Sequence, residues 1–348
     1  MKNIINYIYE YGNKTFEIEP FNEVDNIIFS LLSYIDFKNI IINEISIKES
    51  SKLYLKNHNI TVVNTKIKKT AINIFLLISN YDRYKNLKLS NYIYKLTDDT
   101  QFSSLSIKLS DNIIYVSFEG TDEYIQGWGE DVELSYKFPI PSQMEAIKYL
   151  NDISINNNYN FIIGGHSKGG NLALTSSMYC RPTTKNRILK IYTNDSPGLR
   201  LEEFNSREYK EIKDKIINIV PNKSIVGMIL YSKEPIIIKS SNINQHNPIY
   251  WYVKKNKFEK TNLSDFSNRF NTIFNNWLYN MTYLDRRNFR NILFLIISNM
   301  GIKNIKEIEN DKLKYLKKSI YETKNLSFED KQLLLIYLKR LVKEFINY

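Results

Sequence analysis

The sequence predicts an α/β fold with a mostly parallel sheet, a helical N-terminal region and an all-helical C-terminal extension. Brief β-rich runs alternate with amphipathic stretches between residues 101 and 260, as strands and helices do in a parallel sheet with helices on its faces. Residues 1–100 carry short apolar runs at helix-like spacing. After residue 260 the β-rich runs stop, and apolar residues recur every three or four positions.

The elements follow from these patterns in chain order. Helices between the strands are clearest at Ser142–Leu150 and Asn171–Tyr179. In the extension, apolar stripes run from Phe266 to Met281 and along a last helix that begins near Ser327; we expect them to pack against the sheet domain, with a lipid-facing or partner-facing surface as the alternative. The predicted strands are Ile113–Phe118, Tyr159–Ile163, Ile188–Thr193, Ile216–Val220, Pro235–Lys239 and Tyr250–Val253.

Length and periodicity set the expected domain boundaries. The chain has 348 residues, about twice the ~150 residues of a typical domain. No internal repeat and no linker rich in glycine, serine or proline divides it. We therefore expect one domain over residues 1–260, with a helical part at 1–100 and a core at 101–260, and a helical extension over 261–348.

Composition excludes several classes of protein. One cysteine, Cys180, and three histidines can build neither an intramolecular disulfide nor a cysteine-rich zinc site, so we expect no metal and no cofactor. The net charge of +11 could favour an anionic membrane surface. However, the lysines are dispersed, and the heavy use of Ile, Asn, Lys and Tyr along the whole chain is the pattern that an AT-rich genome gives. No nucleic-acid-binding pattern occurs, and no nucleic-acid partner is expected.

Targeting signals are also absent from the sequence as given. The first ten residues lack the apolar region of a signal peptide, and no apolar run approaches the ~20 residues of a membrane-spanning helix. A cytoplasmic location is the default expectation, with secretion by another route left open.

One motif carries chemistry. The strand that ends at Ile163 leads into G-x-S-x-G, formed by Gly165, Ser167 and Gly169, and a helix follows. This is a nucleophile elbow in the context that it requires, because the two glycines let strand and helix approach each other around a strained serine. A phosphate-binding loop would need Lys-Ser or Lys-Thr after its last glycine, but Asn171 follows Gly170 here. Ser167 is therefore the predicted nucleophile of an α/β-hydrolase.

A serine nucleophile needs a base, and the chain offers three histidines. His166 adjoins the serine and should point away from it, in a structural role. His58 precedes the nucleophile, against the Ser, Asp, His chain order of this fold. His246, in a late loop after a predicted strand, is the predicted base.

The third member is a carboxylate that orients the imidazole. Asp195 directly follows the β-rich run Ile188–Thr193, whereas the other acidic residues between Ser167 and His246 lie in polar helical or loop segments. We predict Asp195, with the alternative that it caps a turn and that Asn218 or Asn222 orients the base.

The oxyanion needs backbone donors. The amide of Lys168, directly after the nucleophile, is one candidate. Thr121, after the strand Ile113–Phe118, could offer both its amide and its hydroxyl; the alternative is a plain β-turn.

At these residues the chain resembles a bacterial lipase-like α/β-hydrolase family of unknown function, the Mbeg-like group, and is similar more distantly to the class 3 lipases. The resemblance spans about residues 1–255 and implies lipase roles for Ser167, His246 and Thr121. It also covers Trp128, Glu130 and Asp131, which we interpret as a buried aromatic and two loop-fixing carboxylates. The chain departs from class 3 lipases at Glu119, where they usually carry arginine, and at Pro221, which ends the strand that their acid follows. The matching segments are 21–25, 32–34, 118–122, 127–131, 141–146, 165–173, 195–198, 220–228, 245–246 and 251.

These observations predict a serine hydrolase of carboxylic esters, a lipase, phospholipase or esterase that works without a cofactor. Lipid esters are favoured by the resemblance and by the 14% aromatic content. The alternative is a binding module that has lost catalysis and uses the C-terminal helices as its interaction surface. Protein partners are not predicted.

Overall fold

A computed structural model describes residues 1–58, 65–122, 125–155, 157–241, 244–302 and 311–347. Within this part of the chain, strands β1 to β8 form one sheet in which they lie in chain order. Neighbours from β1 to β4 are antiparallel, and neighbours from β4 to β8 are parallel. The strands are β1 (Ile45–Ser46), β2 (Lys88–Leu96), β3 (Gln101–Ser110), β4 (Ile113–Phe118), β5 (Asn160–His166), β6 (Ile188–Asn194), β7 (Ile216–Pro221) and β8 (Ile236–Ile238), with a separate hairpin of β9 (Val253–Lys254) and β10 (Lys257–Phe258).

Helices cover both faces of the sheet. One apolar cluster joins α1 to α4 to one face, and a second joins α6, α7 and α10 to the other. Successive residues of β4 alternate between them, since Tyr115 belongs to the first cluster and Val116 to the second. The helices are α1 (Ile4–Tyr11), α2 (Glu23–Leu32), α3 (Ile47–Asn57), α4 (Lys66–Ile78), α5 (Ile125–Glu133), α6 (Pro141–Ser154), α7 (Lys168–Tyr179), α8 (Pro182–Asn186), α9 (Leu201–Phe204), α10 (Arg207–Ile212), α11 (Asp265–Tyr279), α12 (Tyr283–Asn299), α13 (Lys312–Asn325) and α14 (Phe328–Asn347).

The predicted α/β architecture is confirmed, and the strands predicted from Ile113 to Lys239 lie at β4 to β8. Strands β2 and β3 were not predicted. In β3, buried serines stand where apolar residues would mark a strand, and their hydroxyls are satisfied by hydrogen bonds: Ser104 donates to the Ser117 carbonyl (2.9 Å) and Ser103 to the Ser33 carbonyl (3.1 Å). The sequence therefore did not predict this buried strand, because its polar residues lack the apolar pattern of one.

The strand predicted over Tyr250–Val253 is wrong. A single 3₁₀ turn occupies Pro248–Tyr250, Trp251 makes an isolated antiparallel bridge with Ser240, and the strand β9 begins only at Val253. Proline suits the first position of such a turn, because its ring holds φ near the helical value. The indole of buried Trp251 instead donates to the Gln245 carbonyl (2.7 Å), which fixes the loop that carries His246.

The C-terminal helices have a cluster of their own, centred on Trp277, Ile292 and Tyr337. They also contact the sheet domain: Arg290 pairs with Glu133 of α5 (3.1 Å), and the Asn275 side chain bonds the backbone of Leu230. No helix among the described residues has both the length and the apolar character needed to cross a bilayer.

Candidate active site

Ser167 lies at a sharp turn between β5 and α7. Its backbone has φ 59° and ψ −135°, a conformation that a residue with a side chain rarely adopts. A Cβ on Gly165 would lie 2.2 Å from the backbone of Gly169, and one on Gly169 would lie 2.2 Å from the Phe118 carbonyl oxygen. Strand, turn and helix therefore approach closely only because these positions are glycine.

Ser167 opens on a cavity of about 390 Å³. Both His246 and Thr121 line the same cavity, as do Asp131 and Asn247. Its apolar wall comes from Ile67, Trp128, Pro197, Val226 and Ile229.

His246 is held by the carboxylate predicted for it. Its Nδ1 lies 2.7 Å from Oδ2 of Asp195, which is buried directly after β6. The other oxygen, Oδ1, accepts from the Gly227 amide (3.1 Å) and from the Ser224 hydroxyl. Because Asp195 Oδ2 accepts a hydrogen bond from Nδ1–H, the proton of a neutral His246 lies on Nδ1 and its Nε2 presents a lone pair.

Both amides considered as alternatives are engaged elsewhere. Asn218 accepts from Thr193 (3.0 Å) and donates to the Lys233 carbonyl (2.8 Å), and Asn222 accepts from the amide and hydroxyl of Ser240. The carboxylate that pairs with His246 does not come from the loop after β7. That loop contributes Ser224 and Gly227, the donors that orient Asp195.

His166 faces away from the serine and supports the loop of the other histidine. Its Nε2 lies 2.7 Å from the His246 carbonyl, which can only accept, so Nε2 carries the proton and Nδ1 accepts from the Tyr34 hydroxyl (3.0 Å). Burial, assisted by neighbouring His246, lowers the pKa of His166 well below its usual value. His58 ends α3 and stacks on Tyr54, with ring centroids 4.3 Å apart.

The loop after β4 lies against the elbow. A Cβ on Gly120 would be 2.9 Å from Ser167 Cβ. The Thr121 hydroxyl, which the sequence suggested for the oxyanion, donates to Asp131 Oδ2 instead (2.7 Å). The backbone amides of Thr121 and Lys168 are the remaining candidates for that role.

Of the expectations about α5, the one for Trp128 is wrong and the one for Asp131 is incomplete. Trp128 is 43% exposed and forms part of the cavity wall, so it is not a buried aromatic. Asp131 does fix the loop through Thr121, but it also lines the cavity, and burial raises the pKa of its carboxyl above the usual value.

The role of the Lys168 side chain was not predicted from the sequence. It is fully buried, and its Nζ donates to Glu130 Oε2 (2.8 Å), to the Gln101 carbonyl (3.0 Å) and to Gln101 Oε1 (3.1 Å). Gln101 in turn donates through Nε2 to Glu119 (2.9 Å), and Glu130 Oε1 accepts from the Ser142 amide (2.8 Å). The network joins the elbow to β3, to the loop after β4 and to α5 and α6. The one indication of this network in the sequence was a lysine directly after the nucleophile.

Strands in chain order with a parallel half, helices on both faces and an elbow after β5 define an α/β-hydrolase fold. The sequence profile of the Mbeg1-like family matches residues 78–295. The chain belongs to this family, which confirms the resemblance noted above.

A solved structure shows a distant similarity. The crystal structure of M37 lipase is similar at 16% sequence identity and a TM-score of 0.37, over 60% of this chain and 70% of that one. No curated protein matches the chain. Among the described residues, no three His, Cys, Asp or Glu side chains are grouped so as to hold a metal ion.

Proposed function

We propose that this protein is a serine hydrolase that cleaves carboxylic esters. One observation carries the proposal: an elbow serine in a strained conformation and a histidine paired with a buried carboxylate line one cavity. This combination is the one that acyl transfer by a serine requires.

The proposed reaction assigns one step to each group. Ser167 Oγ attacks the ester carbonyl, while His246 Nε2 takes the hydroxyl proton and then passes it to the leaving alcohol. Asp195 stabilises the imidazolium that forms between these transfers. Water, activated by the same histidine, hydrolyses the acyl-enzyme. The amides of Lys168 and Thr121 donate to the oxyanion.

Lipid esters are the proposed substrate class. The wall formed by Ile67, Trp128, Val226 and Ile229 offers apolar contact to an acyl chain beside the serine. The lipase-like resemblance of the elbow and its loops favours the same class.

A fluorophosphonate probe and a chromogenic ester series of increasing acyl length test the proposal. Ser167→Ala should abolish labelling and reduce hydrolysis by ~10⁴-fold or more, and His246→Ala should be nearly as damaging. His58→Ala is the matched control and should change turnover little, because its ring stacks on Tyr54. Unchanged hydrolysis in Ser167→Ala would refute Ser167 as the nucleophile. Absence of both labelling and hydrolysis in the wild type would leave the binding-module alternative.

A further inference from the structure

Helix α14 has two apolar sides. One side packs into the C-terminal cluster through Tyr337, which is fully buried, and through Leu333, Leu334 and Leu341. A second side is exposed to solvent, with side chains between 45% and 79% accessible, at positions that recur on one side of the helix at about 100° per residue. This exposed side consists of Phe328, Leu335, Leu338, Val342, Phe345 and Ile346.

Helix α13 repeats the arrangement. Tyr315 packs against the C-terminal cluster. Leu313, Leu316 and Ile320, spaced by three and four residues, are 52% to 65% exposed. We call these three residues, with the six exposed ones of α14, the outer stripes.

Charge is segregated about the outer stripes. Exposed lysines lie beside or within them, at Lys317 and Lys324 of α13 and at Lys331 and Lys339 of α14. The acidic residues of these two helices, Glu322, Glu329, Asp330 and Glu344, fall on the opposite half of each helix. The half of each helix that carries an outer stripe thus holds apolar and cationic residues and no acidic residue, while exposed Glu329 lies on the other half of α14.

We propose that the outer stripes dock the protein on an anionic lipid bilayer, with α14 lying in the plane of the interface. A helix with a long apolar side bordered by lysines binds at this depth, because the apolar side chains enter the acyl boundary while the ammonium groups remain among anionic headgroups. Snorkelling lets a lysine that lies within the apolar side, such as Lys331, still reach the headgroups.

Charge disfavours a second copy as the occupant. In a two-fold contact each stripe would meet its own copy, which brings lysines against lysines around the apolar centre. A nucleic-acid backbone would match the lysines but would leave the apolar residues without a partner. An anionic bilayer satisfies both features.

The extension that carries the outer stripes is also joined to a helix of the cavity wall. The extension is joined to α5, where Gly129 packs against Phe294 and Glu133 pairs with Arg290. The same helix contributes Trp128 and Asp131 to the cavity. The docking proposal does not depend on the proposed hydrolysis, because no residue of the outer stripes lines the cavity.

Vesicle flotation of the full chain tests the proposal. At about 0.1 M salt, the protein should float with vesicles of phosphatidylcholine and phosphatidylglycerol and only weakly with phosphatidylcholine alone. A variant with Leu335→Gln, Leu338→Gln and Val342→Gln should partition on the order of 100-fold less. Replacing Lys317, Lys324, Lys331 and Lys339 by glutamine should lower partitioning into the anionic vesicles on the order of 100-fold or more. It should also remove the preference for phosphatidylglycerol.

The control variant carries Ile18→Gln and Ile42→Gln, which are 70% and 82% exposed on the sheet domain, and should float like the wild type. Far-UV circular dichroism checks that all variants fold. Absence of wild-type flotation with either vesicle, or flotation unchanged by both stripe variants, would overturn the proposal. The proposal would also be overturned if sedimentation showed a dimer that the leucine and valine changes dissociate, and if the protein did not bind vesicles.

The two proposals fail separately. Ser167→Ala should float like the wild type, and the stripe variants should hydrolyse a water-soluble short-chain ester at the wild-type rate.

Discussion

Two histidines lie side by side in the site, with ring centroids 4.5 Å apart, yet their surroundings give them different roles. His166 is fully enclosed, and its lowered pKa keeps it neutral, with Nε2 donating to the His246 carbonyl. His246 is 38% exposed and paired with Asp195. A neutral His166 therefore adds no cation beside the proposed base.

Thr121 offers a prediction at the same scale. Thr121→Val removes the donor to Asp131 and leaves a buried carboxyl group without it, so the free energy of unfolding should fall by about 1–3 kcal/mol. Because the hydroxyl points to Asp131, turnover should stay within roughly tenfold, whereas loss of a direct oxyanion donor costs ~10² to 10³-fold. Urea unfolding and steady-state kinetics measure the two effects.

Thr121→Ser keeps the hydroxyl and should restore the stability. If Thr121→Val lowered turnover by ~10²-fold or more and left the stability unchanged, the hydroxyl would be a donor to the oxyanion after all.

At the scale of elements, one buried ion pair connects pieces that are distant in the chain. Lys168 belongs to α7 and Glu130 to α5, and both side chains are almost fully buried, with Gln101 of β3 between them. Removing one partner of such a pair leaves an uncompensated charge in the interior. The elbow and the loop after β4 thus share a support that neither has alone.

Lys168→Met should therefore destabilise the protein by about 3–5 kcal/mol, and turnover should fall because the loop that carries Thr121 loses its anchor. The double variant Lys168→Met, Glu130→Gln should recover a large part of the stability, since no buried charge is left unpaired. Denaturant unfolding gives both values.

Lys95→Met is the matched control, because Lys95 pairs with Glu145 at the surface and should show no measurable change. Equal losses in Lys168→Met and in the double variant would contradict the account.

The whole molecule contains three apolar clusters among its described residues. Two cover the faces of the sheet, the first of them together with the N-terminal helices, and the third lies within the C-terminal helices. We propose on this ground that residues 1–260 and 261–348 are separate folding units, each with its own core.

Trp277→Ala tests this division. The indole is 3% exposed and donates to the Tyr337 carbonyl (3.0 Å), so its loss should cost about 3–5 kcal/mol within the C-terminal cluster. Far-UV circular dichroism should then show an early melting step of the helices, while hydrolysis of a soluble ester persists through that step.

In contrast, Phe161→Ala, in the sheet core, should lower the melting of the sheet domain and the hydrolysis together. A single transition in Trp277→Ala, with hydrolysis lost in step, would show one cooperative unit instead.

The prediction of elements succeeded where side chains follow the backbone period. Strand β4 has the predicted bounds of Ile113–Phe118, because its apolar residues are buried on both faces of the sheet. The prediction failed at β3, where the serines hydrogen bond inside the protein, and at Tyr250–Val253, where the 3₁₀ turn that begins at Pro248 includes Tyr250.

The sequence by itself determined the alternating elements, the elbow at Ser167 and the position of His246 in a late loop, because each depends on residues near one another in the chain. Only the tertiary structure decided that Asp195 pairs with His246, which lies 51 residues later in the chain. It also decided that the Thr121 hydroxyl donates to Asp131 and that Lys168 is buried against Glu130. A hydrogen-bond partner is chosen by distance and direction after the loops have packed, and local periodicity carries neither quantity.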